Sequence, residues 1–495
     1  MTMYRSRSSA FGGSPRGRGG RALRRVPIGP RRKAVSAMVI AALLAAITLF
    51  FFWPGVASYD SLVQYRQLLD GRYDDWHPPA MARLWALFHG AGWQGQAPMF
   101  ALQLLLYWSG LALFAGALAR AGRSLAALAV LLFGLWPPVL GWQIAVLKDG
   151  QMVGALVAAL GVASWWRLGD RRLPIWAAAL VLILLGYATL VRFNAAFATI
   201  PLAFGLLGGW RWERPWLQGA VVLAATAAVL FLLAPINHRL LEARPSGVER
   251  SLPLFDLGGI VHHAGPTAVP QVPARLWRRA EVRGCLTPIL WDPLGDDEAC
   301  GYILTTLQRT APRGELRDAW LAAIAAHPLA YAQHRIAHWN SEMRLWTPAI
   351  MPGTGPLSGS EPNRLGLASP AKRITGFQKL GATLAESAAG APILWFAIAL
   401  GVLFCTWPAR SGPGGVAVSL ALSALLAELA FGVVGVASDY RYHCWSMLAT
   451  GLAVLAAAGA RVSPRRVLAV LAGVAVVAAI VVVARSILPP ALPPI

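Results

Sequence analysis

The sequence predicts an all-α polytopic membrane protein with about eleven transmembrane helices, interfacial helices in its first outer loop, and a mixed, partly helical extracytoplasmic domain. Composition is the first reason. Hydrophobic residues make up 57% of the chain and the mean hydropathy is +0.54. Charged residues make up only 13%, against roughly 25% in soluble domains, which is too little polar surface to cover a water-soluble globule. The placement of charge is the second reason. The 44 basic residues outnumber the 22 acidic ones, and they sit in short clusters between apolar runs. That pattern suits cytoplasmic loops facing anionic lipid, not nucleic acid.

A helix crossing the hydrocarbon core needs about 20 apolar residues. Runs of that kind occupy 34–53, 98–119, 124–142, 150–166, 174–191, 193–210, 216–235, 391–408, 415–437, 445–460 and 466–485. Orientation follows from Lys and Arg, which concentrate on the cytoplasmic side. Before the first run stand Arg24, Arg25, Arg31, Arg32 and Lys33. Alternate short loops repeat the signal with Arg120 and Arg123; Arg167, Arg171 and Arg172; Arg211 and Arg214; Arg410; and Arg461, Arg465 and Arg466. All agree with a cytoplasmic N-terminus. Arg485 is the exception, and its long stem can snorkel.

The order of segments follows. Residues 1–33 form a basic arm rich in Gly, Ser, Pro and Arg, predicted to be disordered. Residues 34–235 hold the first seven spans, the first of them read as uncleaved because Trp53-Pro54 follows it and no small-residue cleavage site does. The first outer loop, 54–97, contains two amphipathic stretches. Leu62, Tyr65, Leu68 and Leu69 recur at helical spacing before Gly71, a helix stop; Met81, Leu84, Trp85 and Phe88 recur after Pro78. Both are expected to lie in the membrane interface. Residues 236–390 are long enough for a folded extracytoplasmic domain, amphipathic and helical over 317–346. Spans 391–485 and an extracytoplasmic tail, 486–495, complete the chain. Cys285 and Cys300 bracket a Pro/Asp/Gly-rich loop in the outer domain, where an exported compartment permits a disulfide. Cys405 and Cys444 are read as packing residues.

Ionisable groups near a span are costly and therefore informative. Here they gather on the outer side: Asp60 in SYDS; Asp70, Asp74, Asp75 and His77 in LLDGRYDDWHPP; Lys148 and Asp149 in VLKDGQM; Arg192 in TLVRFNAAFATIP; and Asp439, Arg441 and His443 in SDYRYHCW. A carboxylate can take a proton from an acceptor hydroxyl, and arginines can hold a phosphate as it leaves. A bland role stands beside each. Asp60 suits a helix cap, Asp74 and Asp75 solvated loop charges, Lys148 and Asp149 an interfacial ion pair, and Arg192 a headgroup anchor. His334 and His338 have the i, i+4 spacing of a metal pair but lack the Glu of a zinc-protease motif, so a surface helix is the better reading. Glu428 lies within the ninth run and is expected to face the bundle interior.

The arrangement resembles integral membrane glycosyltransferases of the C superfamily, in the protein-mannosyltransferase and lipid A aminoarabinose-transferase group. The resemblance rests on short motifs in a shared order: YDSLVQYRQLLDGRYDDWHPP, with His77 before the prolines; KDGQMVGALVAALGVASWW at Asp149; Arg192 before NAAFATIP; and Tyr440, Arg441 and Tyr442 late in the chain. LFDLGGI and AAHPLAYAQHR in the outer domain add to it.

The resemblance implies transfer of a sugar from a polyprenyl-phosphate donor to a hydroxyl on a lipid, glycan or protein acceptor. Transfer would occur outside the plasma (inner) membrane, with inversion at the anomeric carbon. Asp60 would be the general base and Asp149 would assist it or position substrate. Arg192 and Arg441 would bind the phosphate, with Lys148, His77, Tyr440 and Tyr442 as further substrate contacts. Some members of the superfamily use a divalent metal, but no ligand cluster here requires one. Two other classes compete. A transporter or lipid flippase places its polar groups near the midplane, often in repeated halves, whereas here they lie at the interface. A non-catalytic envelope assembly subunit would tolerate loss of Asp60.

Overall fold

A computed structural model describes residues 29–490, apart from 212, 311–314, 371–373, 459 and 461. Most of the basic arm, with Arg24 and Arg25, lies outside the described residues, as do Arg461 and the last part of the tail. The first half runs α1 (Pro30–Phe52), α2 (Tyr59–Asp70), α3 (Ala80–Gly90), α4 (Ala97–Arg120), α5 (Ser124–Phe133), α6 (Pro137–Gln143), α7 (Lys148–Arg167), α8 (Ile175–Val191), α9 (Ala196–Leu206) and α10 (Pro215–Pro235). Then come α11 (Ser251–Ala264), α12 (Ala274–Val282), α13 (Asp292–Gly295), α14 (Tyr302–Thr310), α15 (Glu315–Ala326), α16 (Pro328–Met343) and α17 (Ile374–Glu386). The last four are α18 (Pro392–Thr406), α19 (Gly412–Val434), α20 (Cys444–Ala457) and α21 (Pro464–Ile487). Among the described residues there are only isolated β-bridges, no strands.

Each of the eleven apolar runs holds helix. Among the described residues, five helices, α1, α4, α10, α19 and α21, are long and apolar enough to cross a membrane. The pair α5–α6, bent by 58°, makes a sixth if it is one broken span, while α8, α9 with its preceding turn, and α18 are shorter apolar helices. The count of eleven is therefore not reproduced by length and composition alone. Pro137 and Pro138 open α6 and account for the break before it.

One large core joins α1, α4, α7, α8, α9, α19 and α20. Helices α4 and α7 pack backbone against backbone: a Cβ on Gly161 would lie 2.3 Å from the carbonyl oxygen of Gly110. Small residues at such a crossing let dispersion contacts between main chains hold the pair. Leu254, Trp277, Ile303 and Leu307 belong to a separate core within 254–330. Beside it, Cys285 and Cys300 form a disulfide with Cα atoms 6.5 Å apart. The chain then returns to the large core through Ile374 and Ala385.

Several local readings are corrected. The helix expected over 317–346 is two helices, interrupted where Pro328 starts α16. His334 and His338 are buried, not on a surface: Asp256 faces His334, and Pro288 and Glu342 face His338. Asp75 is buried too, and its Oδ1 accepts hydrogen bonds from the Ser246 amide and hydroxyl at 2.6 Å each. In each case the partner that makes burial tolerable comes from a distant part of the chain. Gly71 does end α2, with φ at 64°, a conformation glycine adopts without steric cost.

Candidate active site

The site begins with how α2 is anchored. Ser58 is its N-cap and forms a capping box with Ser61, so Asp60, one residue into the helix, is not the cap. The Ser61 hydroxyl also donates to the Val146 carbonyl at 2.6 Å. Val56 runs parallel to this segment, accepting from the Val146 amide at 2.8 Å and donating to the Ile144 carbonyl at 3.1 Å. The extended stretch before α7 is also held by Gln103, whose Nε2 donates to the Ala145 carbonyl at 2.8 Å. Buried non-helical backbone needs such partners. Asp60 on α2 is thereby brought beside Lys148 and Asp149 at the start of α7.

Arg192 enters from the end of α8, Arg441 from the 3-10 turn Tyr440–His443 between α19 and α20. The Arg441 guanidinium is central. Its Nη1 is 3.1 Å from Asp60 Oδ2, its Nη2 2.9 Å from Asp439 Oδ2, and its Nε 3.8 Å from Asp149 Oδ2. Arg192 pairs with Asp149 and donates from Nε to Asn194 Oδ1 at 2.9 Å. Lys148 Nζ is 3.8 Å from Asp60 Oδ2 and donates to His77 Nδ1 at 2.8 Å. Tyr442 lies beneath both guanidinium groups, its ring centre 4.0 Å from Arg192 and 5.5 Å from Arg441.

Seven of the eight residues singled out thus come together. Tyr440 does not: it is fully buried, its hydroxyl donates to the Gly390 carbonyl at 3.0 Å, and Arg344 lies over its ring. Its role is to fasten the turn that carries Arg441. Asp439, one of the outer ionisable groups to which no role was given, and Asn194, whose only sequence signal was adjacency to Arg192, belong to the site as well.

Burial alone would push the Asp60 carboxyl up, but Arg441 and Lys148, with help from Arg192, outweigh it and hold it well below the usual carboxylate range. Burial, and next the charge of Lys148, push His77 down to about 3, which leaves a neutral imidazole able to accept from Lys148. His77 Nε2 and Asp149 Oδ2 are buried without a hydrogen bond. The two catalytic candidates do not suit a metal. Asp60 and Asp149 already face cations, and among the described residues no group of three His, Cys, Asp or Glu side chains converges to hold an ion.

Two cavities flank this cluster and share Ala437 in their walls. One, of about 220 Å³, is lined by Lys148, Arg192, Asn194, Tyr442 and Trp76, and by Phe193, Phe431 and Val434 on its apolar side. The other, of about 350 Å³, is lined by Asp292, Asp296, Asp439 and Ser438. Burial, and to a lesser degree the charges of Asp439 and Asp60, push the Asp292 carboxyl up. A basic cavity with an apolar wall and an acidic cavity therefore meet at Ala437, and Asp439, the partner of Arg441, stands in the wall of the acidic one. A larger cavity of about 770 Å³, between α5, α18, α20 and α21, is apolar and touches none of these charges.

No protein-family model matches the chain, and no curated protein matches it. Among solved structures, it is similar to the archaeal oligosaccharyltransferase AglB from Archaeoglobus fulgidus in complex with an inhibitory peptide and a dolichol-phosphate. The identity is 16% and the TM-score 0.35, over 92% of this chain and 55% of that one. The chain thus spans about half the length of that protein.

Proposed function

We propose that the chain is a membrane glycosyltransferase that moves a sugar from a polyprenyl-phosphate donor to an acceptor hydroxyl on the extracytoplasmic side of the plasma (inner) membrane. The observation that carries the proposal is the meeting of Asp60, Lys148, Asp149, Arg192 and Arg441 beside two cavities of opposite charge, from segments far apart in sequence. In this reading the eleven apolar runs each cross or re-enter the membrane, α5 and α6 together. Segments 54–97 and 236–390 and the tail lie outside, and the arginine-bearing loops lie inside.

The donor phosphate occupies the basic cavity, where Arg192, Lys148 and Arg441 can neutralise it. Its polyprenyl chain leaves past Phe431 and Val434, the latter 38% exposed. The acceptor enters through the acidic cavity, which favours neutral or cationic groups. Asp60 takes the proton of the acceptor hydroxyl, and the oxygen forms a bond to the anomeric carbon from the face opposite the phosphate. The carbon–oxygen bond to phosphate breaks, and polyprenyl phosphate departs with the electron pair, inverting the centre.

A base held below its normal range is a poor proton acceptor. Arg441 and Lys148, which hold Asp60 there, are also the groups that a donor phosphate attracts. Donor binding therefore raises the basicity of Asp60, and the acceptor is activated only when a sugar is ready to receive it.

Purified protein in vesicles, supplied with polyprenyl-phosphate hexoses or pentoses and a soluble hydroxyl acceptor, should release polyprenyl phosphate and form the inverted glycoside. Movement of intact donor between leaflets without cleavage would instead establish the flippase reading.

A further inference from the structure

The loop carrying Arg441 is gripped from the far side by α16. Arg335 Nη1 donates to the Gly435 carbonyl at 2.7 Å, the hydroxyls of Ser341 and Ser438 share a hydrogen bond, and Arg344 lies 4.9 Å from the Tyr440 ring centre. At the end of the loop His443 is fully buried between two carboxyl groups. Its Nδ1 is 2.7 Å from Glu428 Oε2 on α19, and its Nε2 is 3.0 Å from Glu342 Oε2 on α16. An imidazolium donating from both nitrogens satisfies both neighbours.

The other Glu342 oxygen is 3.5 Å from His338 Nε2. His338 Nδ1 donates to the Pro288 carbonyl at 2.8 Å, so the neutral ring presents a lone pair at Nε2 toward that oxygen. There is no slack at this point. A Cβ on Gly435 would lie 2.7 Å from His338 Nε2 and 3.2 Å from Glu342 Oε1. Neither Glu342, Glu428 nor His443 lines the two cavities at the site.

His443 is two residues from Arg441, and Arg441 must stand within reach of Asp60, Asp149 and the donor phosphate at once. We propose that Glu342 is a positioning residue: by clamping His443 against Glu428, it lets α16 set where the Arg441 guanidinium stands. The clamp itself rests on geometry, and its consequence for transfer rests on the reading of Arg441 as a phosphate ligand. Helix α16 belongs to the segment between the two groups of apolar runs, so a displacement of that segment reaches the site through one side chain.

Hydrogen exchange and lipid binding on the full chain test this together. In Glu342→Leu, which keeps most of the bulk but accepts nothing from His443, amide protection of 436–443 should fall about 10-fold or more while α19 and α20 keep theirs. Glu342→Gln, whose amide oxygen still accepts from His443, should keep most of that protection. Binding of polyprenyl phosphate should weaken about 10-fold in Glu342→Leu, and the Glu342→Leu/Arg441→Ala double variant should bind no worse than Arg441→Ala alone, because the two act in one line. Unchanged protection of 436–443 in both Glu342→Leu and Glu342→Ala would overturn the clamp, and additive losses in the double variant would overturn its route through Arg441. Lost protection in a protein whose wild type binds no polyprenyl phosphate would support the clamp while refuting the proposed donor.

Discussion

Two clusters of buried charge stand two residues apart in the chain and behave differently. Around Arg441, carboxylates and cations border two cavities. Around His443, both ring nitrogens are engaged, and the neighbouring backbone leaves no room for a methyl group at Gly435. Charge beside a void can exchange its partners for a ligand, whereas charge packed on every side can only hold structure. The same residue types therefore carry chemistry in one place and architecture in the other, and the difference is the space around them.

Substitutions should separate the two. His443→Ala leaves Glu342 and Glu428 buried without their cation and should cost about 3–5 kcal/mol of stability, as for other broken buried pairs, measured by denaturant unfolding in detergent. Arg441→Ala should instead weaken polyprenyl-phosphate binding by about 10- to 100-fold, the worth of a hydrogen bond to a charged group, with a smaller change in unfolding. If Arg441→Ala destabilised the protein as much as His443→Ala and left lipid binding unchanged, the contrast would fail. Asp75→Asn should cost about 1–3 kcal/mol by weakening the Ser246 contacts and leave turnover per folded molecule unaltered.

The two clusters also differ in their response to pH. Burial, against the opposing pull of His443, pushes Glu342 up to about 7. His443 is pushed down by burial but raised more by Glu428 and Glu342, to about 9. A carboxyl whose folded pKa is raised binds its proton more tightly when folded, so its contribution fades as pH climbs from the ordinary carboxylate range through about 7. A raised imidazole stabilises fully below its unfolded value, and the benefit is lost as pH rises through about 9. His338, Glu428 and Asp439 are the other charged groups that bear on this pair. Amide protection of 436–443 should accordingly decline from pH 6 to pH 9, two values chosen to bracket that window. Asp60 is held below its usual range, so its contribution is present across that window and is lost only in strong acid. A rise in protection with pH would contradict the assigned charge states.

Much of the site was legible because its residues interrupt apolar runs. Asp60, Asp149, Arg192 and Arg441 each stand beside an apolar run, and a charge there needs a reason. The helical spacing in the first outer loop and the stop at Gly71 were legible for the same local reason. What stayed hidden depends on distant partners. Asp75 reads as a loop charge until Ser246 is placed against it, and His334 and His338 read as a surface pair until Asp256 and Glu342 are. Asp60 resembles a cap because Ser58, two residues earlier, is an equally good one, and only the hydrogen bonds decide. Tyr440 shares a motif with Arg441 and Tyr442 but faces away, since in so tight a turn successive side chains point in different directions. Glu342 carried no signal beyond its place on an amphipathic helix, although an acid in the ninth apolar run, Glu428, already called for a partner.

The central claim is that Asp60 is the base on the acceptor hydroxyl, and Asp60→Asn tests it most directly. Asparagine preserves the side-chain volume and cannot take a proton. Transfer from a polyprenyl-phosphate sugar should be measured by single turnover on protein that still binds the donor, with Asp74→Asn as the control, since Asp74 only accepts from the Trp76 amide at 3.0 Å. Turnover should fall by about 100-fold or more in Asp60→Asn and stay near the wild-type value in Asp74→Asn. Near-normal transfer by Asp60→Asn, or an equal loss in Asp74→Asn, would show that the base is another group.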